Sequence, residues 1–211
     1  MLPYYHKIDI EQFDLDKVLN HPDVQAMTQE GWPYPWYMQP FNLKECLPEF
    51  WEWVEDRFKS PIVNSRFFTT LPHQNTTVHI DQGYMASLNV PIINCENSYN
   101  AWYHLKPGVE MPEPLWKQDT KNLNYSATPA AAYMFKPEDL DSPREPGFGK
   151  QYAQVKMTGP VVFNTSIPHN VLTGDLAVKD KPRLLLAVRT DSMRRINDNC
   201  FERVLEDLGF A

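Results

Sequence analysis

The sequence predicts a mainly β fold with flanking helices, and three observations carry that expectation. Proline outnumbers glycine 19 to 8 in 211 residues, roughly twice ordinary proline usage. Proline breaks helix interiors and is excluded from central strands, so a helical bundle is ruled out and short strands joined by rigid loops are favoured. Eight short apolar runs between residues 66 and 190 read as strands. Only two stretches carry a clear helical stripe, one on each side of those runs. Eight short strands in one unit suggest a sandwich, a barrel or a jelly roll. The length fits a single domain, 1–211, able to bury a core without staples.

Residues 1–60 read as a helical lead. Glu11 to Leu19 can form a helix, and Asn20-His21-Pro22-Asp23 marks a second helix start with proline in the tolerated first turn. Gly31-Trp32-Pro33-Tyr34-Pro35-Trp36-Tyr37 cannot be a helix interior and is expected to lie as an aromatic strap over the core. The clearest helix covers 43–58. Asn42 and Glu45 form a capping-box-like start, and Leu43, Leu47, Phe50, Trp51, Val54 and Phe58 fall at helical spacing, with Pro48 weakening the first turn. Strands are expected at 66–71, 76–80, 86–92, 101–105, 131–135, 151–157, 160–164 and 183–190. Residues 106–150 hold seven prolines and little periodicity, the pattern of an insertion and a candidate lid. Within it, 136–141 reads as a solvated turn. A helix at 198–208, with Cys200, Val204, Leu205 and Leu208 inward, ends at Gly209.

Composition narrows the function. Twenty basic against 27 acidic residues give a net charge of −7, the wrong sign for a default nucleic-acid binder. No apolar run approaches the roughly 20 residues of a membrane span, and Met1–His6 has no secretory pattern. Cys46, Cys95 and Cys200 are odd in number and far apart. They suggest reduced thiols and a cytoplasmic location.

Chemistry concentrates in His79-Ile80-Asp81. Residues i and i+2 of a strand share a face, so the imidazole and the carboxylate can reach one metal ion. A chain with 6 His and 14 Asp meets His-x-Asp readily by chance, and a second copy, His21-Pro22-Asp23, sits at a helix start where a metal pair is not expected. Support comes from His169, which follows an apolar strand, a polar turn and the stiff Pro168. Two histidines and one carboxylate leave coordination positions open, the arrangement of non-haem Fe(II) oxygenases. Arg183 then begins a strongly apolar strand, where a cation needs an anionic partner.

These residues together resemble the 2-oxoglutarate- and Fe(II)-dependent dioxygenases. Val78-His79-Ile80-Asp81, Leu88-Asn89-Val90-Pro91-Ile92, Trp102-Tyr103, and Phe163-Asn164-Thr165 with Pro168-His169-Asn170-Val171 are similar to the aspartyl/asparaginyl- and prolyl-hydroxylase-like branches. The resemblance covers about residues 66–190. It implies a double-stranded β-helix (jelly roll, cupin-like), with the helices packed outside the major sheet. It implies Fe(II) held by His79, Asp81 and His169, and 2-oxoglutarate as co-substrate with its far carboxylate on Arg183. Oxidation by O2 would then hydroxylate a C–H bond of a small molecule or peptide and release succinate and CO2. Retention of Asp81 implies hydroxylation rather than halogenation. A cupin-like metal- or ligand-binding protein without oxidative turnover is the alternative.

The supporting residues follow from the same picture. Tyr103 or Thr165 can hydrogen-bond the co-substrate, and Asn89 can line the pocket. Trp102, Tyr84 and Trp116 are candidate substrate walls, or else core. His73 and His104 are expected to be solvated or hydrogen-bonded rather than ligands. Arg189, six residues beyond Arg183, faces the same way about 20 Å along the strand. Arg183 is preferred as the anchor because it is expected nearer the metal end.

Overall fold

The computed structural model describes residues 4–34, 36–81, 83–110, 131–141, 143–144, 148–149, 152–174, 181–194 and 201–210. Trp116, Cys200 and most of the 106–150 insertion lie outside these residues, as do 195–199 of the C-terminal segment.

The strands are β1 (Tyr5–Lys7), β2 (Trp36–Pro40), β3 (Ile62–Thr70), β4 (His79–Asp81), β5 (Ala86–Ile93), β6 (Ser98–Trp102), β7 (Ala131–Met134), β8 (Pro143–Arg144), β9 (Phe148–Gly149), β10 (Ala153–Lys156), β11 (Val161–Asn164), β12 (His169–Thr173) and β13 (Arg183–Thr190). They form two antiparallel sheets. A six-stranded sheet runs β1-β11-β5-β13-β3-β2, and a five-stranded sheet runs β10-β6-β12-β4-β7. From β3 to β6 the chain alternates between the sheets. The insertion follows, and from β10 to β13 the chain alternates again. This winding is a double-stranded β-helix, the jelly-roll architecture.

The apolar run of β13 is explained by having both faces covered, which removes the need for alternating polarity. Leu184, Leu186 and Val188 face outward into a cluster with the helices. Leu185 and Ala187 face inward, between the sheets. The outer cluster is built by helices α1 (Leu15–Leu19), α2 (Pro22–Met27), α3 (Leu43–Cys46), α4 (Pro48–Arg57) and α5 (Phe201–Asp207). Val18, Val24, Leu43, Phe50, Val54 and Val204 are their buried contributions. Each such apolar side chain contributes about 1.5–3 kcal/mol when fully buried. The helices therefore pack on the outside of the larger sheet, as the resemblance implies.

Several elements depart from the sequence reading. The helix expected at 43–58 is two helices. Leu47, before Pro48, is non-helical at φ −131°, ψ 65°, because the proline ring disfavours α geometry in the preceding residue. The Asn42 cap is present: Asn42 accepts from the Glu45 backbone N–H and donates to the Glu45 carboxylate. Pro48 itself sits harmlessly at the first position of α4. The lead also contains strands β1 and β2 at the two edges of the larger sheet. Pro40 is tolerated in β2 because an edge strand has one unpaired side. Strand β12 was not expected, since its HNVLT sequence reads as the start of a loop. At the C-terminus Gly209 closes α5 at φ +76°, the left-handed position that glycine fills without strain.

The smaller sheet has its own covering. Val78, Ile80, Ala101, Tyr103, Phe135 and Leu140 form a cluster on its outer face. The described part of the insertion supplies Phe135 and Leu140. Strand β7 extends the sheet beside β4, and Leu140 then bridges to Leu105. The turn 136–141 is thus exposed at Lys136 to Glu138 but anchored by the buried Leu140. The expectation of a lid over the site is not met by these described residues, which cover the sheet's outer face instead.

Candidate metal centre

His79 and Asp81 are the first and last residues of β4, so both side chains take the inward face while Ile80 takes the outer one. His169 opens β12, directly opposite His79 in the ladder. The pairing sets the two imidazoles side by side, 4.6 Å between ring centroids. One ligand atom from each of His79, Asp81 and His169 lies within 4.8 Å of the others. Asp81 Oδ1 is 3.6 Å from His79 Nε2 and 3.7 Å from His169 Nε2. An ion about 2.1 Å from two donors holds them roughly 3.0–4.2 Å apart for angles between 90° and 180°, so these separations fit a shared ion.

The hydrogen bonds fix which nitrogen is offered. His79 Nδ1 lies 2.7 Å from the Thr77 carbonyl, and His169 Nδ1 lies 2.8 Å from the Ile167 carbonyl. A carbonyl only accepts, so each Nδ1 carries a proton and each Nε2 is the nitrogen turned toward Asp81. Burial, followed by the charge of His79, lowers the His169 pKa to about 4, which keeps that ring neutral at pH 7. The His169 lone pair and a carboxylate oxygen facing one another repel, and a cation between them relieves that repulsion. The distances could be read as histidine–carboxylate ion pairs; the lowered His169 pKa argues against that for His169. Backbone carbonyls holding the ligand imidazoles from behind are the usual support of a metal site.

Arg189 takes the other side of Asp81. Its Nη2 donates to Asp81 Oδ2, and its guanidinium lies over the Tyr84 ring, 4.6 Å from the centroid. Burial works to raise the Asp81 pKa. The charge of Arg189, with contacts from His79 and His169, outweighs it and holds the carboxyl well below the usual carboxylate range. With Oδ2 occupied, Asp81 offers one oxygen to an ion rather than two.

A cavity between the sheets runs from these residues, and Arg183, Leu185, Ala187 and Arg189 line it as the inward row of β13. Arg189 stands at the metal end. The expectation that Arg183 is the nearer arginine is therefore overturned. Strand β12 leads away from His169, and β13 begins at the far end. There Arg183 is 1% exposed. Its Nε donates to Ser98 Oγ at 2.7 Å, and its Nη2 has no hydrogen-bond partner. Burial lowers its pKa. A buried guanidinium with a spare donor and no carboxylate contact among the described residues is suited to an anionic ligand.

The other expected site residues divide. Asn89 and Thr165 line the cavity, where Asn89 Nδ2 gives one N–H to the Ser87 carbonyl and Thr165 Oγ1 donates to the Tyr84 carbonyl. Tyr103 is not in the cavity. It belongs to the outer cluster of the smaller sheet, where its hydroxyl donates to Asn170 Oδ1 at 3.0 Å. One step of strand parity separates it from Trp102, which faces inward opposite His169. Trp102 is fully buried and donates its indole N–H to the Asn164 carbonyl, so it is core. His104 is hydrogen-bonded to Tyr4 and stacked on Tyr152. His21 caps α2 by accepting from the Asp23 N–H, which accounts for the second His-x-Asp. Sequence reasoning missed Asn100, Ser98 and Ser87, all inward or cavity-lining. Only alternation along β6, which was placed three residues too late, could have found the first two.

No protein-family model and no curated protein matches the sequence. Solved structures of similar fold include HygX from Streptomyces hygroscopicus with nickel and 2-oxoglutarate bound. It is 10% identical with a TM-score of 0.42, over 88% of this chain and 82% of that one. E. coli YcfD is 8% identical with a TM-score of 0.45, over 98% of this chain but only 62% of that one. L-ribose isomerase from Cellulomonas parahominis is 15% identical with a TM-score of 0.34, over 74% and 60%. Likeness at this level distinguishes no reaction. Among the described residues no helix is long and apolar enough to cross a membrane.

Proposed function

We propose that this protein is a 2-oxoglutarate- and Fe(II)-dependent oxygenase that hydroxylates a C–H bond of a small molecule or peptide. The observation that carries the reading is one cavity with two unlike ends. Three convergent acceptors, His79, Asp81 and His169, lie at one end, and the buried Arg183 guanidinium with a spare donor lies at the other. A ligand that chelates a metal through one terminus and carries a carboxylate at the other matches both.

In this reading His79, Asp81 and His169 hold Fe(II), the ion favoured by two histidines and one carboxylate with open positions. When bound, the iron with 2-oxoglutarate and O2 supplies the oxidising chemistry, yielding succinate, CO2 and a hydroxylated product. Arg189 limits Asp81 to one ligand oxygen. Arg183 pairs with the far carboxylate. Phe68, Phe163 and Leu185 provide apolar wall between the ends, which keeps water from the co-substrate. The support extends to the oxygenase class and not to its aspartyl- or prolyl-hydroxylase-like branch.

The test is anaerobic addition of Fe(II) and 2-oxoglutarate. A weak visible charge-transfer band is expected, absent in His79→Ala, and succinate should form on exposure to air. Metal binding with neither band nor succinate would replace this reading with a metal-binding protein lacking oxidative turnover.

A further inference from the structure

We propose that Asn100 is a specificity-determining residue that grips the 2-oxo acid between the metal end and Arg183, its side-chain amide donating to a carboxylate oxygen. The inference rests on the 2-oxo-acid reading above and adds a residue to it. Asn100 is 3% exposed and lines the cavity. Its Oδ1 has no partner, and no hydrogen bond is made by its amide among the described residues. A buried amide oxygen without a partner is costly, and it is rare enough in folded proteins to require a reason.

The position supplies one. Ser98, Asn100 and Trp102 are successive inward residues of β6. Ser98 Oγ receives the Arg183 Nε–H, and Trp102 is paired with His169. Asn100 is therefore one pleat repeat, roughly 7 Å along the strand, from each anchor. A diacid held by the metal at one end and Arg183 at the other has to pass it. Thr165 Oγ1 is spent on the Tyr84 carbonyl, and Asn89 Nδ2 gives one of its two N–H groups to the Ser87 carbonyl. Asn100 makes no side-chain hydrogen bond among the described residues, and half a turn about its last torsion presents either end of the amide to a ligand.

Binding separates this role from a structural one. The probe is N-oxalylglycine, a 2-oxoglutarate analogue that is not turned over, with Mn(II) in place of iron, followed by calorimetry and thermal shift. Asn100→Leu replaces the unpaired amide by an apolar side chain of similar size. It should raise the melting temperature of the metal-free protein by about 2–4 °C and weaken N-oxalylglycine about 10–100-fold, leaving Mn(II) affinity without the analogue unchanged. Asn100→Asp, which sets a carboxylate against a carboxylate, should weaken the analogue at least as much. Asn100→Ala cannot overpack the cavity and should give the same loss of binding if the leucine variant folds poorly. Wild-type affinity for the analogue in the leucine or alanine variant would overturn the role of Asn100 alone. Wild-type protein that binds Mn(II) but never N-oxalylglycine would overturn the 2-oxo-acid reading with it.

Discussion

Arg183 and Arg189 face one cavity from the same strand, six residues apart, and are held in opposite ways. Arg189 is tied to a carboxylate: it bonds Asp81 and lies over Tyr84, although its buried Nε has no hydrogen-bond partner. Arg183 is fully buried yet has one hydrogen bond among the described residues, to Ser98, and a donor left over. Each leaves one buried nitrogen without a partner, and the difference is the carboxylate: Arg189 has Asp81, whereas Arg183 has none among the described residues. An arginine paired with a carboxylate supports it, whereas one buried without an anion is suited to receive one.

The comparison can be broken most directly at the metal end. Asp81→Ala should abolish high-affinity metal binding, a loss of at least about 100-fold by titration with Mn(II) or Fe(II), and all turnover with it. Retained metal binding would remove the centre altogether. Arg189→Ala leaves Asp81 Oδ2 buried and unpaired. It should destabilise the metal-free protein by about 3–5 kcal/mol in urea unfolding and also weaken metal binding.

Acid probes the same end. The His169 pKa, about 4 when folded, is below its ordinary value, so the unfolded chain binds the extra proton first. The stability of the metal-free protein should be full above about pH 6.5 and fall as pH drops toward 4, by about 1.4 kcal/mol per pH unit. The depressed Asp81 pKa adds a loss of the same sign at lower pH. A melting temperature flat across that window would mean the buried ring is already charged.

At the far end, Arg183→Met should give the reverse pattern to Arg189→Ala. Removing a half-satisfied buried cation should change stability by under about 1 kcal/mol or raise it, while the 2-oxoglutarate KM rises about 10–100-fold and metal affinity holds. Loss of metal as the main effect would exchange the roles of the two arginines. The smallest effect is expected at Tyr103→Phe. It should cost about 1 kcal/mol of stability through the Asn170 contact and leave the 2-oxoglutarate KM unaltered, because the ring lies on the opposite face of the sheet.

Much of this was legible in the residues, for identifiable reasons. Apolar runs and proline punctuation indicated strands, and the periodicity of 43–58 indicated the helical cover, because both patterns are local. His79 and Asp81 could be paired by strand parity alone. What failed depended on parity or direction across long connections. Placing β6 at 101–105 instead of Ser98–Trp102 made Tyr103 look like a ligand of the co-substrate and hid Ser98 and Asn100. Without β12, nothing local places Arg183, rather than Arg189, at the end remote from His79 and His169.

The sequence by itself therefore determined the class of architecture and the identity of the three candidate ligands, since side-chain chemistry and two-residue alternation need no knowledge of distant partners. Only the tertiary structure decided how the ends of the cavity are arranged. Bringing His169 beside His79, Arg189 onto Asp81, and Arg183 and Asn100 into one buried space depends on strand pairing across tens of residues. No local pattern encodes that register.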